Sequence, residues 1–192
     1  MADHRHLVVF HEDPSRLLVS VRAPTFSLNA FVAHSPIEGS EESETWWVES
    51  QRVARLAPTK GCTLYFVDAN GRLGSVLSEC VGPVHPEAET LNGYFFHLWM
   101  RQLGICAFST FRCKGSGATG RSTQNTLRRI DFVCGLSWLM GFPHDTWVAT
   151  NLDVATVKDD HCPTVAELLW QPLPPCSPAC RHSPLVSRAS LK

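Results

Sequence analysis

The stretch Cys62–Gly71 reads CTLYFVDANG. Cys62 to Val67 form an unbroken apolar run of strand length, the pattern of a strand buried on both faces. The run stops abruptly at Asp68-Ala69-Asn70-Gly71, a polar turn. A carboxylate and a carboxamide therefore sit at the end of a buried strand, where a sheet rim can gather them with groups from other strands.

Working outward, the segments before this strand are short and apolar. His6 to Phe10, Ser15 to Arg22 and Phe26 to His34 read as strands, separated by Pro14 and Pro24 and stopped by Pro36. Ser40 to Ala57 reads as a helix. Trp46, Val53 and Ala57 share one face, glutamates lie at its start, and Arg52 and Arg55 lie near its end, as the helix dipole favours. After the polar turn, Glu87 to Leu103 reads as a second helix carrying Leu91, Tyr94, Phe95, Leu98 and Trp99 on one side. Strands are expected at Ala107–Phe111, at Leu127–Leu136 with Asp131 in its middle, at Thr146–Leu152 and at Thr164–Trp170. From Gln171 onward Pro172, Pro174, Pro175 and Pro178 mark a tail or linker. Residues 1–170 thus form one domain of α/β or α+β class, with 171–192 appended.

Composition narrows the function. At 192 residues, 44% hydrophobic and 18% charged, the chain can bury a core and is not disordered in composition. No run approaches the roughly 18 apolar residues of a membrane helix, so no membrane role is expected. His4, Arg5, His6, His11, Glu12 and Asp13 interrupt any secretory h-region. Seventeen Lys and Arg against eighteen Asp and Glu exclude a strongly basic chain. Positive charge is nonetheless concentrated locally. Residues 112–130 hold Arg112, Lys114, Arg121, Arg128 and Arg129, with Gly115, Gly117 and Gly120 between them. Guanidinium groups on a flexible loop suit phosphate contacts, although an ordinary solvated loop has the same composition. Gly115-Ser-Gly-Ala-Thr-Gly120-Arg121-Ser122 also approaches a phosphate-binding P-loop, but Arg stands where Lys should be and a helix former does not follow. The eight cysteines form no metal-ligand framework beyond a half-set, Cys176, Cys180 and His182.

Asp68, Asn70, Asp131, Asp160 and His161 all fall at or near strand ends. Carboxylates hold a hard cation through oxygen, and an imidazole beside an Asp is fixed in one tautomer. Together they suit metal-assisted phosphodiester hydrolysis.

The order of these residues resembles the endonuclease/exonuclease/phosphatase superfamily, most closely the apurinic-endonuclease-like domain of non-LTR retrotransposons. The GD-x-N motif of that family appears as Val67-Asp68-Ala69-Asn70, its R-[IL]-D-[YF] strand as Arg129-Ile130-Asp131-Phe132, and its SDH-x-P motif as Asp159-Asp160-His161-Cys162-Pro163. The Y/H-x-P segment appears as His34-Ser35-Pro36, and the stretch from Asn92-Gly93 to Thr110-Phe111 also matches. The resemblance spans residues 6–170. It implies a four-layer α/β sandwich, two packed mixed or antiparallel sheets flanked by helices, of which the N-terminal part is expected to be missing. The family's first strand and its principal metal-binding Glu have no counterpart before His34.

The resemblance also implies roles. Asp68 would orient and activate the water, Asn70 would bind the scissile phosphate, and His161 would contact phosphate with Asp131 orienting its ring. Asp160 would stand at the metal, and His34 would touch phosphate or nucleophile. Arg112, Lys114, Arg121 and Arg129 would meet the nucleic acid. The implied activity is that of a retroelement-derived, Mg²⁺-dependent DNA endonuclease fragment. DNA would be the substrate, a reverse transcriptase domain would lie in the parent polypeptide, and a working enzyme would be nuclear. The alternative is a catalytically inactive remnant with weak nucleic-acid binding. Val67 in place of Gly is expected to crowd the turn, and Asp159 in place of Ser puts two acids side by side.

Overall fold

A computed structural model describes residues 6–23, 26–121, 125–142, 144–150 and 161–169. Expectations about Asp159, Asp160, Ser122 and the Pro-rich tail with Cys176, Cys180 and His182 lie outside these residues.

The chain opens with an antiparallel meander, β1 (His6–Asp13), β2 (Arg16–Ala23) and β3 (Phe26–His34). The β1–β2 turn is pinned by Asp13, whose carboxylate accepts from Ser15, Arg16 and the His11 ring. Helix α1 (Ser43–Ala54) then carries the chain back to β4 (Cys62–Asp68), which pairs in parallel with β3. Helix α2 (Leu91–Leu103) follows. Its N-terminus is capped by the Thr90 hydroxyl, and it ends at Gly104 in the left-handed conformation, φ 65°. Short β5 (Ile105–Ala107) runs into a 3-10 turn, Phe108–Thr110. After the two-residue pair β6 (Gly120–Arg121) and β7 (Leu127–Arg128), β8 (Asp131–Leu136) inserts between β4 and β5. The six-stranded sheet therefore has the order β1-β2-β3-β4-β8-β5. A separate ladder pairs β9 (His144–Val148) with β10 (Thr164–Leu168).

Strand alternation divides the sheet's side chains between two faces. One carries Leu18, Phe31, Ala33, Tyr65, Val67, Phe132 and Cys134, and both helices close over it with Trp47, Val53, Phe96 and Trp99. Trp99 is the centre of this core. It packs edge-on to Tyr65 with centroids 5.5 Å apart and lies 5.7 Å from both Phe31 and Trp47. Val67 belongs to this core, so it is accommodated without strain. The left-handed residue of the following turn is Asn70, at φ 42°.

The other face is only half covered by the described residues. Leu28, Cys62, Leu64 and Val133 are packed by Phe108, Leu139, Ala166 and Leu168. Beyond them Val32 is 43% and Phe66 37% exposed, so β4 is not buried on both sides along its whole length. On the edge strand β1, Leu7 and Val9 are exposed too. A groove of about 480 Å³ floored by Leu17, Val32, Phe66 and Val133 occupies the uncovered half. Open apolar surface and an unpaired edge favour association. The protein is expected to bind a hydrophobic dye and to self-associate as concentration rises, and Val32→Thr with Phe66→Thr should reduce both. A monomeric, dye-silent wild type would contradict this.

Two expected strands are redrawn. Leu127–Leu136 is broken at Arg129 and Ile130, and the strand expected at Ala107–Phe111 lies at Ile105–Ala107 before the 3-10 turn. No helix among the described residues is long and apolar enough to cross a membrane.

Candidate functional site

Register builds the site. Parallel pairing of β3 with β4 sets His34 opposite Asp68, and antiparallel pairing of β4 with β8 sets Asp68 opposite Asp131. The three form the last row of the half-covered face, at the acidic end of the groove. His34 Nε2 lies 3.3 Å from Asp68 Oδ2. His161 enters from the segment before β10, tied down by the Cys162 N–H to the Thr119 carbonyl at 2.7 Å, and its Nδ1 lies 3.1 Å from Asp131 Oδ2. One ligand atom from each of Asp68, Asp131 and His161 falls within 4.8 Å of the others.

The turn after β4 is locked by its own polar groups. The Asn70 N–H donates to Asp68 Oδ1 at 2.9 Å, and Asn70 Nδ2 donates to the Ser35 carbonyl at 2.8 Å. The Ser35 hydroxyl donates to the Ala69 carbonyl at 2.6 Å. Asn92, on α2, donates to the Pro36 carbonyl at 2.8 Å and more weakly to that of Asn70. On the β8 side the buried Thr119 hydroxyl accepts from the N–H groups of both Ile130 and Asp131. Sequence reasoning missed Ser35 and Thr119 as supports. Ser35 sat inside a motif already singled out, whereas Thr119 has no signal within a Gly-rich loop.

Burial, and then the charge of Asp131 across the strand pair, push the Asp68 carboxyl above its ordinary range, against the opposing pull of Asn70 N–H, His34 and His161. A cation between the two carboxylates would relieve this repulsion. The donor set, two carboxylates and an imidazole, fits Mg²⁺ through its oxygens. With Nδ1–H donated to Asp131, His161 is held in one tautomer.

The basic loop is not uniform. Lys114 Nζ contacts Asp145 at 2.8 Å on the surface, and the Arg121 guanidinium bonds Asn125. The main-chain carbonyl of Arg112 accepts from Thr146. Arg129, expected to face nucleic acid, is 2% exposed. Its guanidinium donates to the carbonyls of Ser109, Val84 and His85 at 2.9–3.0 Å, because those carbonyls line the interior beneath the loop. That makes it a structural cation. Gly120–Arg121 pairs as a strand with Leu127–Arg128, so the P-loop-like run does not open a helix.

No family model matches the chain, and no curated protein matches it in sequence. Solved structures do. The fold is similar to the endonuclease domain of TRAS1, a telomere-specific non-LTR retrotransposon, at 17% identity over 88% of this chain and 71% of that one, TM-score 0.60. It is also similar to the 3′ phosphatase NExo from Neisseria bound to product DNA hairpin, at 15% identity over 87% of this chain and 71% of that one, TM-score 0.56. A third likeness is to an AP endonuclease from Archaeoglobus fulgidus, at 12% identity over 88% of this chain and 71% of that one, TM-score 0.55. These likenesses show the fold alone, a mixed α/β architecture like that of endonuclease/exonuclease/phosphatase proteins.

Proposed function

We propose that this chain, which has the endonuclease/exonuclease/phosphatase fold, carries a phosphodiester-hydrolysing site for DNA derived from a retroelement endonuclease. The observation that carries this reading is the convergence of His34, Asp68, Asp131 and His161 on one rim. The retroelement origin is prompted by the likeness to the TRAS1 endonuclease domain; a reverse transcriptase domain in the parent polypeptide and a nuclear site of action belong to the same proposal and rest on the sequence resemblance alone.

Asp68 and Asp131 would hold Mg²⁺, with Asp160 added on sequence grounds. When bound, Mg²⁺ supplies polarisation of the phosphoryl oxygen and neutralises charge on the leaving oxygen. The chain's own groups do the rest. Asp68 orients the attacking water and takes its proton. In its imidazolium form His161, aligned by Asp131 through Nδ1–H, would donate Nε2–H to a phosphoryl oxygen. Asn70 has one amide hydrogen committed to Ser35, and its remaining polar capacity serves the phosphate. His34 meets phosphate or water at the rim, where its side chain is 67% exposed.

The second reading is a binding remnant without catalysis. It is favoured by the donor count, since the cluster among the described residues has only two carboxylates. Supercoiled-plasmid nicking decides between them. Slow nicking with Mg²⁺, stopped by EDTA and lost in Asp68→Ala and His161→Ala, is the result the enzyme reading requires. DNA binding with no nicking in any divalent ion leaves the remnant.

Binding itself has a signature. Arg112→Ala, Lys114→Ala and Arg121→Ala together are expected to weaken DNA affinity regardless of sequence. They should also flatten the dependence of log K on log salt by about one unit for each phosphate no longer neutralised. An unchanged slope would assign the loop to bulk solvent.

A further inference from the structure

Ser78, His97 and Glu89 form a second relay that the phosphodiesterase reading does not use. Ser78 lies in the connection between β4 and α2, Glu89 just before α2, and His97 on α2. Ser78 Oγ is 2.7 Å from His97 Nε2, and His97 Nδ1 is 3.3 Å from Glu89 Oε1. The side chains of His97 and Glu89 are each 8% exposed, while Ser78 is half-buried.

The hydrogen-bond directions are fixed by chemistry. A carboxylate only accepts, so in the neutral imidazole the His97 proton sits on Nδ1 and Nε2 accepts the hydroxyl proton of Ser78. Nucleophile, base and orienting acid stand in the order and at the spacing that acyl transfer uses. The Glu89 carboxylate is buried, and its second oxygen, Oε2, has no hydrogen-bond partner among the described residues. The Cys80 N–H donates to Ser78 Oγ at 3.0 Å and would steady negative charge as the hydroxyl loses its proton.

Two further features lie along the same stretch of chain. The carboxylate of Glu79, the residue after Ser78, is drawn down by its own main-chain N–H and lies 3.4 Å from Arg101 Nε. A groove of about 500 Å³, lined by Leu77, Pro83, Pro86 and Ala88 together with Ser75 and Glu87, lies in the same connection between β4 and α2.

The geometry points to Ser78 as a nucleophile toward short-chain carboxylic esters, with His97 as its base and Glu89 as the residue that orients His97. Ser78 Oγ bonds to the ester carbonyl carbon as its proton passes to His97 Nε2. The bond from that carbon to the alkoxy oxygen then breaks, and the alcohol leaves with the proton from Nε2. Water gives a proton to Nε2 and attacks the acyl-serine, the acid departs, and the proton returns to Ser78 Oγ. No metal or redox partner is needed.

The full chain, in EDTA, is treated with a fluorophosphonate probe and the adduct is mapped by mass spectrometry. Hydrolysis of p-nitrophenyl acetate is followed in parallel. The expected result is a single adduct on Ser78 and hydrolysis lowered at least about a hundredfold in Ser78→Ala. In Glu89→Gln hydrolysis falls and the pH at which it rises shifts. Adduct mapping uses the unaltered protein, so the outcome does not depend on any variant folding. Absence of a Ser78 adduct on protein with a cooperative thermal transition overturns the assignment, as does hydrolysis that is the same in Ser78→Ala.

Discussion

Arg129→Ala is expected to lower the unfolding free energy by about 4 kcal/mol. The side chain is among the largest fully buried ones, and it serves three carbonyls, those of Ser109, Val84 and His85. Each carbonyl left without a donor in the interior costs about 1 kcal/mol or more, and the emptied volume adds a cavity term. The same side chain lies over the Phe132 ring, with its guanidinium carbon 5.9 Å from the centroid. Arg129→Lys should recover only part of the loss, because one ammonium cannot reproduce a planar fork aimed at separate acceptors. Urea unfolding is the check. The midpoint should fall with little change in slope. A loss below about 1 kcal/mol would mean that solvent replaces the guanidinium and that Arg129 is a surface residue after all.

Gly93→Ala is expected to destabilise by about 3 kcal/mol. In an ordinary helix the same change would stabilise by roughly 1 kcal/mol, so the sign alone is diagnostic. A Cβ at position 93 would stand 2.0 Å from the Arg72 carbonyl oxygen, and one at Gly71 would stand 2.5 Å from the Gly93 nitrogen. The turn after β4 and the first turn of α2 therefore touch backbone to backbone. Forcing them apart moves Asn92, which holds the Pro36 and Asn70 carbonyls, and through them the ends of β3 and β4. Thermal melting should show the loss of stability. In any preparation that nicks DNA, activity should fall further than stability does, because the Asp68–Asn70 turn is displaced even in molecules that remain folded.

Much of this was legible from residue pattern. Short apolar runs bounded by Pro14, Pro24 and Pro36 located β1 to β3, and the apolar run Cys62–Val67 located β4. His34, Asp68 and His161 could be named because they lie at or near the ends of recognisable runs, and Asp131 because it interrupts one. What failed was local. Leu127–Leu136 looked like one strand, but Arg129 turns inward to its three carbonyls and breaks the ladder there. Phe66 looked buried because an apolar residue in a central strand usually is, yet its half of the face has no cover among the described residues. Thr119 was invisible because a single hydroxyl in a loop has no periodicity, although both Ile130 and Asp131 depend on it.

The strand order also sets a sequence of events during folding. The β1–β2 and β2–β3 pairings join neighbours in the chain and close small loops, so they form early and at low entropic cost. The β4–β8 pairing joins segments separated by both α2 and the Gly-rich loop, and His161 arrives from further still. Asp68 and Asp131 therefore meet only through a long-range pairing whose loop closure costs more entropy, and their mutual repulsion opposes it. A ribosome releases the chain from the N-terminus, so every nascent chain shorter than Leu136 presents β4 as an open apolar edge. Until β8 emerges, the strand that will carry the chemistry is also the strand most exposed to mispairing.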